Sequence, residues 1–152
     1  MPKIYYSYNY ISYSAINLAN DIKNSFEPDY ILAISGGGLI PSRMIRKVIN
    51  KPIISLTIKY YDENDQIMDS PEIIQWVDRE LIENKKILII DEIDDTGKTL
   101  DFIINKLKEY NPNELCLGVI FNKKKEKAYN FEEIKYFCSE EIDDNWVVFP
   151  WE

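Results

Sequence analysis

The stretch from Ile87 to Leu100, ILIIDEIDDTGKTL, limits the possible fold more than any other part of the chain. Ile87 to Ile90 is an unbroken apolar run, which reads as a strand covered on both faces, the condition of parallel sheets. Asp91, Glu92, Asp94 and Asp95 follow, and then Thr96-Gly97-Lys98-Thr99 leads into a helical pattern. A tight turn opening into a helix leaves backbone N–H groups unpaired at the positive end of the helix dipole, which suits an anion. Gly97 allows close approach of the backbone, and two threonine hydroxyls add donors. The bland alternative is a helix cap beside a solvated acidic turn. The strand and the two acids at its edge argue against that.

Like charges should not crowd an anion site unless the ligand has two unlike sides. Carboxylates only accept hydrogen bonds, so Asp91 and Glu92 suit vicinal hydroxyls or a hydrated Mg²⁺. The turn has room for one terminal phosphate. A ribose 5-phosphate unit meets both demands.

The rest of the chain alternates short β-branched runs with amphipathic ones. Ile16, Ala19, Ile22 and Phe26 predict a helix over 13–25 after a Ser12 cap. Strands are predicted over 30–34, 53–58, 87–90, 115–121 and 134–138, and a short one over 73–77. Helices are predicted over 39–49 and 99–110. The polar segment 59–71, KYYDENDQIMDSP, has no periodicity and reads as a long loop serving as a lid. This succession predicts an α/β fold, a doubly wound and mostly parallel sheet, with positions 1–152 forming a single domain and ligands at the strand carboxyl ends.

Composition removes several classes of chemistry. The chain has no histidine, so a Ser-His-Asp triad, a Cys-His pair and a His-rich zinc site are excluded. Eighteen Lys and Arg against 26 Asp and Glu leave a net charge of −8, which disfavours a nucleic-acid partner. Cys116 and Cys138 lie in apolar surroundings and read as buried thiols. No apolar run reaches the roughly 18 residues that span a bilayer, and the N-terminus lacks a signal-peptide core. The expectation is a cytoplasmic protein with no membrane partner.

Two better-known anion motifs fail here. A P-loop ending at Gly97-Lys98-Thr99 requires glycine where Glu92 stands, and a dinucleotide fingerprint starting at Gly36 requires glycine where Pro41 stands.

ILIIDEIDDTGKTL instead resembles the phosphoribosyl-pyrophosphate (PRPP) signature of type I phosphoribosyltransferases. AISGGGLIPSRMIR resembles the pyrophosphate-side loop and helix of the purine-salvage branch. IFNKKKEKA and NWVVFPWE are similar to the purine-binding elements of fungal and archaeal hypoxanthine, xanthine or guanine phosphoribosyltransferases. The resemblance implies a Rossmann-like sheet with a small hood formed by N- and C-terminal segments. It implies a Mg²⁺-dependent enzyme that makes IMP, GMP or XMP from PRPP and a purine base, and a homodimer or homotetramer. Two alternatives remain: a PRPP- or nucleotide-binding regulatory protein of the same fold with little catalysis, and a transferase for another base class.

The resemblance also implies roles. Asp91 and Glu92 hold the ribose hydroxyls and Mg²⁺, with Glu152 standing where relatives have an aspartate near the metal. Asp95, Thr96, Gly97, Lys98 and Thr99 cradle the 5-phosphate, and Asp95 doubles as general acid/base beside the purine N7. Ser35, Gly36 and Gly37 take pyrophosphate through the main chain, with Gly38 completing the loop. Lys123 donates to the purine O6, Trp146 stacks on the ring, and the Val147 main chain meets its edge. Lys59, Tyr60 and Tyr61 belong to the lid. Many relatives carry a cation at position 36. Here Arg43, Lys59 or a neighbouring subunit is expected to replace it.

Overall fold

The computed structural model describes residues 2–130 and 133–152. In chain order these form β1 (Lys3–Tyr5), α1 (Tyr8–Lys23), β2 (Tyr30–Ser35), α2 (Leu39–Arg46), β3 (Ile53–Tyr61), β4 (Ile67–Gln75), a 3₁₀ turn (Arg79–Leu81), β5 (Lys86–Asp94), α3 (Lys98–Lys108), β6 (Glu114–Lys123), β7 (Lys135–Ile142) and β8 (Trp146–Val148). Six strands make one sheet in the order β4-β3-β2-β5-β6-β7, and only the β3–β4 pair is antiparallel. β1 and β8 pair in parallel as a separate two-stranded hood. The doubly wound, mostly parallel sheet expected from the sequence is the observed fold, hood included.

The apolar run of β5 is explained by burial on both faces. Ile87 and Ile89 pack with Ile103 and Leu107 of α3, while Leu88 and Ile90 pack with Leu18 and Ile22 of α1. Alternate residues of a strand face opposite sides, so both sets must be apolar. Each such side chain contributes about 1.5–3 kcal/mol by leaving water. Gly118 on β6 lets α1 lie close, because a Cβ there would stand 3.0 Å from the Cδ1 atoms of Ile22 and Ile90.

Two local expectations are corrected. The first helix begins at Tyr8, not Tyr13, and its cap is Ser7, whose Oγ accepts from the Tyr10 N–H at 3.1 Å. Its buried stripe starts at Ile11, a turn earlier than predicted. The tyrosines Tyr8, Tyr10 and Tyr13 are exposed and masked that start.

The presumed loop over 59–71 is a β-hairpin. β3 runs on to Tyr61, and Asp62 organises the turn by accepting from the N–H groups of Asn64 and Gln66 at 2.8 and 2.9 Å. Asp65 supplies a left-handed residue with φ 58°. β4 is an edge strand without a buried face, so it shows no alternation in sequence.

Cys116 is buried and Cys138 half-buried, both as free thiols, and burial pushes the Cys116 thiol up to about 12. Among the described residues no helix is long and apolar enough to cross a membrane.

Candidate active site

Two cavities open side by side at the carboxyl ends of the central strands. The first, about 300 Å³, is lined by Ser35, Gly36 and Gly37 after β2 and by Asp91, Glu92 and Asp95 through Thr99 at the end of β5, with Tyr60 and Tyr61 of the hairpin over it. From β2 the chain passes through α2 to β3 on one side, and from β5 through α3 to β6 on the other. The crevice between β2 and β5 is therefore the topological switch point, where open α/β sheets bind ligands.

Sequence packs this crevice tightly. A Cβ on Gly37 would fall 1.6 Å from Glu92 Oε2, and one on Gly38 2.5 Å from the Ile90 carbonyl. The Ser35–Gly36 peptide is cis. Gly97, with φ 82°, precedes the first turn of α3, and the Tyr129 ring covers it.

The second cavity, about 620 Å³, is lined by Lys123, Lys125, Asp144, Trp146, Val147, Phe149 and Glu152, and shares Tyr61, Glu92, Ile93 and Asp95 with the first. Asp95 stands at the junction. Its carboxylate accepts from Lys125 Nζ at 2.7 Å and from Lys123 Nζ at 3.4 Å. Both ammoniums also reach Asp144, at 3.2 Å from Lys123 and 3.1 Å from Lys125, closing a four-membered ring of charges. The hydrogen bond to Asp95 holds the Lys125 ammonium above its usual range, and Lys125 followed by Lys123 holds Asp144 below the usual carboxylate range. Trp146 is 57% exposed beside this ring, with Lys3 Nζ 5.6 Å from its ring centroid.

Asp91 is buried, and burial, followed by the Glu92 carboxylate beside it, holds its carboxyl well above the usual range. Glu92 Oε2 is buried without a hydrogen-bond partner among the described residues. An all-oxygen pair with an unsatisfied acceptor fits a hard cation such as Mg²⁺, which keeps waters and takes few protein ligands. Glu152 lines the second cavity instead, and no group of three or more such side chains forms a metal cluster among the described residues.

The raised Asp91 carboxyl has a consequence for stability. Its contribution is fully present below the unfolded value of about 4 and is lost as pH rises through the higher folded value. Asp91→Asn is therefore expected to raise Tm at pH 8 in EDTA. The gain should vanish near pH 4. Thermal denaturation at both pH values measures it, and a lower Tm at pH 8 would contradict the repulsion.

Of the predicted site residues, all but Gly38, Arg43 and Lys59 line one cavity or the other. Lys59 is exposed and lines neither, because alternation along β3 turns its side chain away from Tyr60; Arg43 on α2 is also exposed and lines neither. Lys98 is the basic residue along the first cavity among the described residues. Sequence reasoning missed Lys125 and Asp144. It also assigned nothing to Asp94, which is buried and accepts from the hydroxyls of Tyr129 and Tyr136. Burial, and then Asp94, pushes both phenols upward.

The structure thus sets a glycine-turn cavity at the switch point of an α/β sheet beside a second, aromatic-walled cavity, with the Asp95 carboxylate shared between them. The chain belongs to the phosphoribosyl transferase domain family, whose profile matches residues 9–152. It is 31% identical to hypoxanthine-guanine phosphoribosyltransferase of Schizosaccharomyces pombe, over 99% of this chain and 89% of that protein. It is 30% identical to xanthine phosphoribosyltransferase 1 of Saccharomyces cerevisiae, over 99% and 90%. A hypothetical protein from Neisseria gonorrhoeae, solved with bound ppGpp, superimposes with a TM-score of 0.90 at 34% identity, over 99% of this chain and 89% of that one.

Proposed function

We propose that this protein is a cytoplasmic purine-salvage phosphoribosyltransferase, transferring the 5-phosphoribosyl group of PRPP to a 6-oxopurine. The observation that carries this reading is the position of Asp95, whose residue begins the anion cradle while its carboxylate faces Lys123 in the second cavity. Donor and acceptor would meet across it. The purine nitrogen forms a bond to C1 of the ribose, the C1–oxygen bond breaks with its electron pair leaving on pyrophosphate, and the purine proton passes to Asp95. Asp91 and Glu92 would hold Mg²⁺ and the ribose hydroxyls, and the ion would offset the donor's negative charge. Fixed carboxylates also favour the cationic ribosyl transition state. Residues 35–37 would take pyrophosphate, with Lys98 nearby. Tyr60 and Tyr61 would exclude water.

Lys123 selects the base. Its buried ammonium has donors only, so it accepts a 6-oxo group and rejects a 6-amino group. Trp146 supplies the stacking surface and the Val147 main chain the edge. The similarity to fungal enzymes named for hypoxanthine, guanine and xanthine supports the same acceptor class. We further propose a homodimer or homotetramer, with exposed Tyr5, Tyr8 and Tyr13 at the contact, to be read from molar mass in solution.

An ultraviolet assay with PRPP, Mg²⁺ and each base in turn tests the reaction. The expected result is nucleotide from at least one 6-oxopurine, none from adenine, and loss of turnover in EDTA. Nucleotide from adenine alone, or from no base, would refute it. One observation favours a second reading, a nucleotide-binding regulator with little catalysis: the N. gonorrhoeae structure holds ppGpp. Under the transferase reading ppGpp should compete with PRPP in the same assay; ppGpp binding without turnover would favour the regulator.

A further inference from the structure

The segment following β6 alternates strictly. Lys123, Lys125, Lys127 and Tyr129 are buried or half-buried, whereas Lys124, Glu126, Ala128 and Asn130 are exposed. The backbone bends at Lys124, Lys125 and Ala128, yet every second side chain of this ribbon is turned to one face against protein. The covered face meets the end of β5 and the turn beyond it. Lys127 Nζ donates to the main-chain carbonyls of Asp94 and Asp95 at 3.0 and 2.7 Å, and pairs with the Asp94 carboxylate at 3.4 Å. The Ala128 N–H donates to the Thr96 carbonyl at 2.9 Å. Asp94 also accepts from the Tyr129 and Tyr136 hydroxyls, the latter at 2.7 Å. The Asp94–Lys127 pair is largely removed from water, with side chains 1% and 17% exposed.

Three consecutive carbonyls are thus drawn towards the ribbon. In a planar trans peptide the C=O and N–H point in opposite directions. The N–H groups of Asp95, Thr96 and Gly97 therefore face away from the ribbon, and these three residues line the first cavity. Lys127 lines neither cavity. Its influence on a ligand runs through the orientation of peptide planes.

We propose that Lys127 is a positioning residue: by holding the Asp94 and Asp95 carbonyls from behind, it aims the cradle's N–H groups at the phosphate of the donor. This rests on reading the cradle as the 5-phosphate site. Lys127 thereby sets affinity for phosphorylated ribose and leaves recognition of the base to Lys123 and Trp146. Asp94 anchors the lysine, which gives the fourth carboxylate of the acidic cluster a purpose.

The test is calorimetric titration of ribose 5-phosphate into the wild type, Lys127→Met, Lys127→Arg and the double variant Asp94→Asn/Lys127→Met. The double variant removes both partners, so no unpaired buried charge is left to unfold the protein. Ribose 5-phosphate occupies the cradle whether or not the protein transfers anything, so this result is separate from the fate of the proposed reaction. Lys127→Met and the double variant are expected to weaken ribose 5-phosphate about 10–100-fold, the range for losing charge-assisted hydrogen bonding, and Lys127→Arg to restore most of it. In turnover, KM for PRPP should rise while KM for the base stays within about twofold, a split that general loosening would not produce. Unchanged ribose 5-phosphate affinity in a double variant with the wild-type circular dichroism spectrum would overturn the assignment. So would a wild type that does not bind ribose 5-phosphate, or an equal rise in both KM values.

Discussion

Asp95→Asn is expected to lower kcat by about 10²–10⁴-fold, the usual contribution of a positioned acid/base group. The substitution keeps the shape of the side chain and an oxygen for Lys125, which now donates at 2.7 Å, but removes the capacity to take the purine proton. Nucleotide affinity should change far less, because under the proposed function the phosphate would be held by backbone N–H groups and the hydroxyls of Thr96 and Thr99. Single-turnover rates beside calorimetric titration of IMP separate these effects. A variant with wild-type turnover would place the proton transfer on another group.

Gly97→Ala is expected to be the most disruptive single-methyl change in the site. The residue sits at φ 82°, which costs an L-residue roughly 1–2 kcal/mol, and the new Cβ would fall 1.3 Å from Tyr129 Cε1. Tyr129 would have to leave Asp94, undoing part of the support behind the cradle. Tm should fall by more than about 5 °C and KM for PRPP should rise at least tenfold. Thermal melts and initial rates suffice to check this; a Tm within 1 °C of wild type would mean that Tyr129 does not cover the turn.

The strand, turn and helix of the candidate cradle were legible because their information is local. Strand, acids, glycine turn and helix follow one another in ILIIDEIDDTGKTL, and short-range geometry decides what they form. The central sheet was legible for a related reason, since burial on both faces forces the continuous apolar runs at 30–34 and 87–90. The hairpin over 59–71 was not, because an edge strand with no covered face leaves no apolar alternation to detect. Asp94 was illegible for a different reason. Its partners come from 127, 129 and 136, and nothing near Asp94 in sequence announces them. The lysines after β6 gave no clearer signal, because Lys124 fills the gap between Lys123 and Lys125 and the run reads as a solvated basic turn.

The parallel pairing of Lys3–Tyr5 with Trp146–Val148 makes the two halves of the site unequal in their assembly. Under the proposed function, the donor cradle closes within a short internal span of β5 and α3, whereas the acceptor wall needs strands from opposite ends of the described chain. Closing so long a loop is entropically expensive and slow compared with local contacts. During synthesis the cradle could form while the acceptor wall still lacked its last strand, so for a time the molecule would be able to hold a sugar phosphate and unable to receive a base. An extension fused ahead of β1 is therefore expected to weaken base binding before it weakens phosphate binding.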